Sequence, residues 1–137
     1  MNLKNTCISA CVCAVGVVVL GACHESVSVG TPTTTSAAVV DNTQAINSIT
    51  YARCSRENAC NNIGANDKKY VTFDACVKEL NHDTGITLRA DKCPQGVLAD
   101  RLDGCLNDIR TERCGNPIDT IERIGSCRKG MLCKGQL

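Results

Sequence analysis

The sequence predicts an all-α fold: a small disulfide-rich bundle of three to four short helices behind a signal peptide and a disordered tether. Three observations lead to this prediction. The chain has 137 residues and 12 cysteines but only two tyrosines, one phenylalanine and no tryptophan, so disulfides are expected to compensate for a small apolar core. Apolar residues recur at helical spacing in the second half of the chain. The first 22 residues resemble an export signal.

The amino-terminal segment joins one positive side chain to a short apolar run. Lys4 precedes residues 8–20, which carry no charge. A helix of that length spans about 20 Å, less than the roughly 30 Å hydrocarbon core of a bilayer. Residues 1–22 are therefore predicted to be a signal peptide rather than a permanent membrane span.

The apolar run ends in Leu20-Gly21-Ala22-Cys23, which resembles the bacterial lipobox. The small residues fit a signal peptidase that cuts between Ala22 and Cys23, and the Cys23 thiol accepts diacylglycerol. Each buried methylene contributes about 0.8 kcal/mol, so two or three acyl chains anchor a protein stably. We therefore expect a lipid anchor to the membrane of the cell envelope through Cys23. The alternative is an ordinary secretory signal with an incidental cysteine.

Residues 24–42 are rich in serine and threonine and carry no helical apolar stripe. Such a segment buries too little surface to fold, which predicts a flexible linker. His24, rather than aspartate, follows Cys23, and by resemblance to Gram-negative sorting rules this favours the outer membrane. The predicted organisation is a signal peptide at 1–22, a lipidated N-terminus and linker at 23–42 and a cysteine-rich helical domain at 43–137.

Eight cysteines remain in the predicted domain, and their even number in an exported chain predicts four disulfides. They are Cys54, Cys60, Cys76, Cys93, Cys105, Cys114, Cys127 and Cys133. Metal binding is the alternative, but no Cys-x-x-Cys pair occurs among them, whereas structural zinc sites use closely spaced ligands. No metal is therefore expected.

Helix geometry narrows the possible disulfide pairs. Cys105 and Cys114 are nine residues apart on or just beyond one predicted helix; this is about 13 Å, too far for a disulfide. A Cys60–Cys76 bond would close the loop between two helices and is the preferred pair. The other expected pairs are Cys54–Cys93, Cys105–Cys127 and Cys114–Cys133.

Apolar spacing and capping residues predict the first two helices. Asn42 or Thr43 caps the first, which ends after Cys60 at the Asn-Asn-Ile-Gly stop signal. Thr72 caps the second, which ends at Thr84-Gly85. The first helix carries Ala45, Ile46, Ile49, Ala52 and Arg53 at near-helical spacing, and the second carries Phe73, Cys76, Val77 and Leu80.

A third helix is predicted over residues 97–113, ended by Cys-Gly-Asn-Pro. Its apolar stripe is Leu98, Leu102, Cys105, Leu106 and Ile109. Residues 86–91 fit either a helical turn or an extended piece. Asp119 can cap a short fourth helix, and the tail from Ser126 is expected to be irregular. This fourth helix would bury Ile118, Ile121 and Ile124.

Three stretches together carry a resemblance to a known family. They are RCSRENACNNIGANDKKYVTFDACVKEL, CPQGVLADRLDGCLNDIRTERCGNPIDTI and SCRKGMLC. They resemble a family of small cysteine-rich bacterial lipoproteins of unknown function, often labelled natural-product-biosynthesis lipoproteins. The resemblance covers about residues 43–137 and includes all eight cysteines of the domain. It implies a lipid-anchored envelope protein that is accessory to natural-product biosynthesis or export.

The sequence offers no catalytic constellation, and we predict neither catalytic residues nor a cofactor. His82, beside Asp83 near a helix end, is interpreted as a complement to the helix dipole. No Gly-x-Ser-x-Gly elbow or phosphate-binding glycine loop occurs. Asn66-Asp67 begins like a calcium loop but is followed by Lys68-Lys69. The acidic residues of the third helix are interpreted as a solvated face: Asp100, Asp103, Asp108 and Glu112.

Charge excludes one class of partner. The formal net charge is +1, and the signs are interspersed, so nucleic acid binding is not expected. We expect a non-enzymatic binding or envelope module for a protein or small-molecule ligand that the sequence does not identify. The alternatives are an accessory enzyme acting on a small molecule and a disulfide-scaffold protease inhibitor that presents the 61–72 loop with Lys68-Lys69-Tyr70.

Overall fold

The computed structural model describes residues 37–65, 67–118 and 120–136. In chain order the elements are β1 (Val39–Val40), α1 (Asn42–Ala59), α2 (Phe73–Leu88), β2 (Val97–Leu98), α3 (Ala99–Thr111), two 3-10 turns (Ile121–Arg123 and Gly125–Cys127) and α4 (Lys129–Leu132). The predicted small disulfide-rich helical fold is confirmed. None of the helices in these residues is long and apolar enough to cross a membrane.

The first helix begins one residue earlier than predicted, because Asp41 is its cap. The Asp41 carboxylate accepts hydrogen bonds from the backbone N–H groups of Thr43 and Gln44 at 2.8 and 3.2 Å. Asn42, one of the two predicted caps, donates its side-chain amide to the Cys93 carbonyl at 3.0 Å instead. The helix ends as predicted at the Asn-Asn-Ile-Gly segment, where Asn61 adopts a left-handed φ of 58°.

The second helix is capped by Thr72 as predicted, with its hydroxyl accepting from the Ala75 N–H at 3.1 Å. It does not end at Thr84-Gly85 but continues to Leu88. Thr84 and Leu88 are both fully buried, so tertiary packing outweighs the weak helix propensity of threonine and glycine. The ambiguous segment that follows is thus helical up to Leu88.

The third helix begins two residues later than predicted, because Val97 and Leu98 form β2. This strand pairs antiparallel with β1, with Val39 opposite Leu98 and Val40 opposite Val97. The structure therefore places Val39 and Val40, which fall in the predicted linker, in a strand. The buried positions of α3 belong to the predicted stripe: Leu102, Cys105 and Ile109.

The C-terminal region is more regular than predicted. Ile118, Ile121 and Ile124 are buried as expected, but Ile121–Arg123 is a 3-10 turn rather than an α-helix. The predicted cap, Asp119, lies outside the described residues. The expectation of an irregular tail was wrong: a second 3-10 turn and α4 follow, held down by buried Leu132.

Two clusters of buried residues form the core. The larger one lies between α1, α3 and the C-terminal turns and is almost entirely aliphatic and cysteine-lined. The smaller one lies where α1 meets α2 and consists of Cys54, Tyr70, Cys76 and Leu80. Tyr70 is the only aromatic residue of the chain that is buried in the described structure, so disulfides take the place of large side chains in both clusters.

All eight domain cysteines are paired, and one of the four expected pairs is correct. The bonds are Cys54–Cys76, Cys60–Cys114, Cys93–Cys133 and Cys105–Cys127. The expected Cys105–Cys127 bond is present. The Cys60–Cys76, Cys54–Cys93 and Cys114–Cys133 pairs were wrong. Cys54 faces α2 in the smaller cluster and takes Cys76, which leaves Cys60, at the end of α1, to join the turn after α3.

Candidate binding cleft

A cleft of about 380 Å³ lies between β1, the first turn of α1 and the segment that connects α2 to β2. It is lined by Val39, Val40, Asp41, Asn42, Thr43, Ile46, Arg89, Ala90, Cys93, Pro94 and Gly96. Its volume is at the small end of the range of ligand pockets in proteins. Its walls combine aliphatic side chains with a few polar groups, as binding pockets generally do.

Gly96 allows the two walls of the cleft to approach. Its φ is +78°, and a Cβ there would lie 2.6 Å from Val39 Cγ1 and 3.0 Å from the Val40 carbonyl oxygen. Only glycine adopts this conformation at such close approach. Two contacts fix the opposite side of the cleft: the hydrogen bond from the Asn42 side-chain amide to the Cys93 carbonyl and the Cys93–Cys133 disulfide. The cleft is therefore preformed.

The electrostatics of the cleft do not favour a simple anion. The start of a helix attracts negative charge, but the Asp41 carboxylate already occupies the Thr43 and Gln44 N–H groups. Arg89 lies at the rim, with its Nε 2.7 Å from an Asp91 carboxylate oxygen, and both side chains are more than half exposed. Because an exposed pair of this kind is weak, Arg89 can exchange its partner for a ligand acceptor.

The lining residues include no histidine, serine or free thiol, since Cys93 is in a disulfide. The arrangement offers an apolar wall at Val39, Val40 and Ile46, one guanidinium and the Thr43 hydroxyl.

Outside the cleft, a serine hydroxyl lies close to a carboxylate of α3. The Ser126 hydroxyl donates to Asp108 at 2.6 Å, and no histidine takes part in this contact. His82 is exposed on α2, but the helix continues six residues beyond it to Leu88, so the predicted interaction with the helix dipole was wrong. The remaining acidic residues of α3, Asp100 and Asp103, are exposed, in agreement with a solvated face. Within the described residues no group of three or more His, Cys, Asp or Glu could hold a metal ion.

Part of the loop considered for protease inhibition packs onto the domain. Tyr70 is only 3% exposed and forms a bridge with Ile63. The Lys69 ammonium lies 5.2 Å from the centre of the Tyr70 ring and 3.8 Å from a Glu57 carboxylate oxygen. Of the predicted inhibitory residues Lys68, Lys69 and Tyr70, the last two therefore make contacts within the domain.

Ala22 and Cys23, the predicted cleavage and lipidation site, lie outside the described residues.

A buried charge network lies on α1 that was not predicted from the sequence. Arg53, Arg56 and Glu57 are 1–5% exposed. Arg53 donates to Asp83 at 2.7 Å and to the Ile118 carbonyl at 3.3 Å, so it joins α1 to α2 and to the chain after α3. The position of Arg53 among the apolar residues of the first helix was the one signal of its burial, whereas charged residues such as Arg56 and Glu57 are normally exposed.

Comparison with known proteins gives a family but no function. Residues 54–135 match a family of unknown function, DUF6184. This match begins at Cys54, inside α1, extends past α4 and includes all eight paired cysteines. No curated protein matches the chain, and no solved structure does.

Proposed function

Since the chain belongs to the DUF6184 family of unknown function, we propose a role from its own residues: a lipid-anchored, non-enzymatic binding module outside the cytoplasm. The observation that carries the proposal is Leu20-Gly21-Ala22-Cys23 at the end of an uncharged apolar run. Lipidation of Cys23 would hold the module at a membrane. Because His24 follows the cysteine, we assign it to the outer membrane.

The binding part of the proposal is supported by the cleft. A preformed concave site with aliphatic walls and one arginine suits a small molecule or a short peptide segment that carries both apolar and acceptor groups. The resemblance to lipoproteins of natural-product biosynthesis suggests a metabolite that is made or exported by the same cell. The module would then hold this ligand, or a protein that handles it, without changing it chemically.

Replacement of Cys23 by serine tests the anchor. We expect Cys23→Ser to accumulate as an uncleaved precursor, whereas the wild type shows an acylated N-terminus at Cys23 by mass spectrometry of the outer-membrane fraction. Cys13→Ser is the matched control, since it removes a thiol from the same apolar run and should be processed normally. Normal cleavage and membrane retention of Cys23→Ser would overturn the lipoprotein assignment.

A charge placed in the cleft tests the binding role. Val39 lines the cleft and is 44% exposed, whereas Ile86 is 52% exposed and does not line it. We expect Val39→Asp to lose the metabolites or proteins that co-purify with the tagged, lipidated wild type, and Ile86→Asp to retain them. Equal recovery from both variants would show that the cleft is not the binding site.

A further inference from the structure

The four disulfides differ sharply in their access to solvent. Six of the eight cysteines are completely buried, at 0% exposure: Cys54, Cys76, Cys93, Cys105, Cys127 and Cys133. In the remaining bond, Cys114 is exposed and Cys60 is half-buried. Thiol–disulfide exchange requires direct attack of a thiolate on a sulfur atom, so access decides which bond reacts. Only Cys60–Cys114 meets this requirement among the described residues.

The accessible bond joins two helix ends. Cys60 is the residue that ends α1, and Cys114 lies in the turn after α3, 54 residues later in the chain. The link therefore fixes the turn at residues 112–118 against the end of α1. The three buried bonds lie in the hydrophobic clusters instead.

A second set of contacts holds the same turn without the disulfide. Buried Arg56 donates to the carbonyls of Arg113 and, at 2.6 Å, of Asn116. Arg53 donates to the Ile118 carbonyl at 3.3 Å. Because these bonds come from the body of α1, the turn stays attached when the sulfur–sulfur bond is broken. Cleavage of Cys60–Cys114 is thus compatible with a folded domain.

We propose that Cys60–Cys114 is a thiol–disulfide exchange site for a dithiol oxidoreductase of the cell envelope. A thiolate of the partner attacks the sulfur of Cys114, the exposed residue of the pair, the Cys60–Cys114 bond breaks, and Cys60 leaves as a thiolate that takes up a proton. The second partner thiol, as its thiolate, then attacks the mixed disulfide. Cys114 is released as a thiol, and the partner dithiol has become a disulfide.

The exchange gives the domain two covalent states that share one core. In the oxidised state the 112–118 turn is bonded to α1. In the reduced state the arginine hydrogen bonds and the burial of Ile118 hold the turn without the disulfide. This inference does not depend on the cleft, since Cys60 and Cys114 are not among the residues that line it.

Graded reduction of the oxidised full chain tests the order of reactivity. The chain is exposed to increasing dithiothreitol under native conditions, alkylated and mapped by mass spectrometry, while helix content is followed by circular dichroism. We expect Cys60 and Cys114 to be labelled at least about tenfold faster than the other six cysteines of the domain, with the helix signal unchanged. Simultaneous labelling of all eight domain cysteines with loss of helix, or earlier labelling of another pair among them, would overturn the proposal.

Mixed-disulfide trapping tests the exchange itself. The probe is a dithiol oxidoreductase whose second active-site cysteine is replaced by serine, so that the covalent intermediate persists. We expect a trapped adduct on Cys114 of the full chain and none with Cys60→Ala/Cys114→Ala. If that double variant fails to fold, Cys60→Ala alone leaves Cys114 as a free thiol. The probe's remaining cysteine is then supplied as a mixed disulfide with glutathione, and Cys114 should displace glutathione as its thiolate and form the adduct there. An adduct on any of the other six cysteines of the domain, or none with the oxidised full chain, would overturn the exchange site.

Discussion

Arg56 is a buried charged side chain whose guanidinium contacts one carboxylate and two backbone carbonyls. It is buried against Glu57, which is itself 2% exposed, at 2.9 Å. The other Glu57 oxygen accepts from the Asn62 side chain at 2.7 Å, and the Arg56 guanidinium also satisfies two backbone carbonyls. A buried ion pair is costly to desolvate, but removing one partner leaves the other charge buried and uncompensated.

Replacement of Arg56 is therefore expected to be severe. We expect Arg56→Ala to lower the free energy of unfolding by about 3–5 kcal/mol, measured by urea unfolding with the disulfides intact. Arg101→Ala is the control, because Arg101 is 44% exposed and its Nε makes only a long contact, 3.7 Å, with a carboxylate oxygen of exposed Asp100. This variant should change the free energy of unfolding by no more than about 0.5 kcal/mol. Similar small losses in both variants would show that the network contributes little.

Tyr70 gives a pH dependence at the same scale. Burial, followed by the negative charges of Glu79 and Glu57, raises its pKa from 10.0 to about 12. We expect an absorbance titration of the native protein to show a tyrosinate that forms only near pH 12, and this late step to be missing in Tyr70→Phe. Ionisation of every tyrosine near pH 10 would contradict the burial of Tyr70.

The direction of the stability change follows from that pKa. Because the folded-state pKa is above the ordinary value, the contribution of Tyr70 is fully present below pH 10 and is lost as the pH rises from 10 towards 12. The wild type should therefore lose of order 1–2 kcal/mol relative to Tyr70→Phe across this range. At neutral pH the variant should be as stable or slightly more stable, since the Tyr70 hydroxyl has no partner within the described residues.

At the scale of elements, the sequence predicted the helices α1, α2 and α3 and the end of α1, but not the end of α2 or the presence of α4. The apolar stripe of α3 was read correctly, because Leu102, Cys105 and Ile109 recur on one face. The end of α2 was not predicted correctly, because buried Thr84 accepts a hydrogen bond from Arg53, which lies 31 residues earlier in the chain. Three of the four disulfide pairs were missed for the same reason: the face of α1 that meets α2 is set by packing that no local pattern records. The cleft could not be predicted from the sequence either, because one of its walls is β1, which is placed by its pairing with β2.

Glycines inside and between elements should respond oppositely to alanine. Gly104 lies within α3, and a Cβ there meets nothing within 4 Å, so Gly104→Ala should stabilise the protein by about 0.5–1 kcal/mol. Gly96→Ala should destabilise it by more than that, because of the positive φ and the contact with Val39. Thermal unfolding of both variants measures the difference. A shift in the same direction for both would contradict the assigned geometry of Gly96.

At the scale of the whole molecule, disulfides stabilise the core in place of the large buried side chains found in other domains. Each cluster of the core contains at least one disulfide, and only one aromatic side chain is buried in the described structure. Cys105–Cys127 attaches the C-terminal turns to α3 across a separation of 22 residues. In the loop-entropy description such a bond contributes about 3 kcal/mol.

Removal of the buried disulfides should therefore unfold the domain, in contrast to cleavage of Cys60–Cys114. We expect Cys105→Ala/Cys127→Ala to lose about 2–5 kcal/mol, and complete reduction of all four bonds to leave the chain largely unfolded at 37 °C, since the summed loss reaches the roughly 5–15 kcal/mol stability of a typical domain. Far-ultraviolet circular dichroism of the fully reduced, alkylated chain measures this, and Cys60→Ala/Cys114→Ala, which should keep its helix signal, is the control. A native helix signal after complete reduction would mean that the aliphatic clusters hold the fold alone. The high cysteine content would then need another explanation, with exchange at the exposed bond as the first to examine.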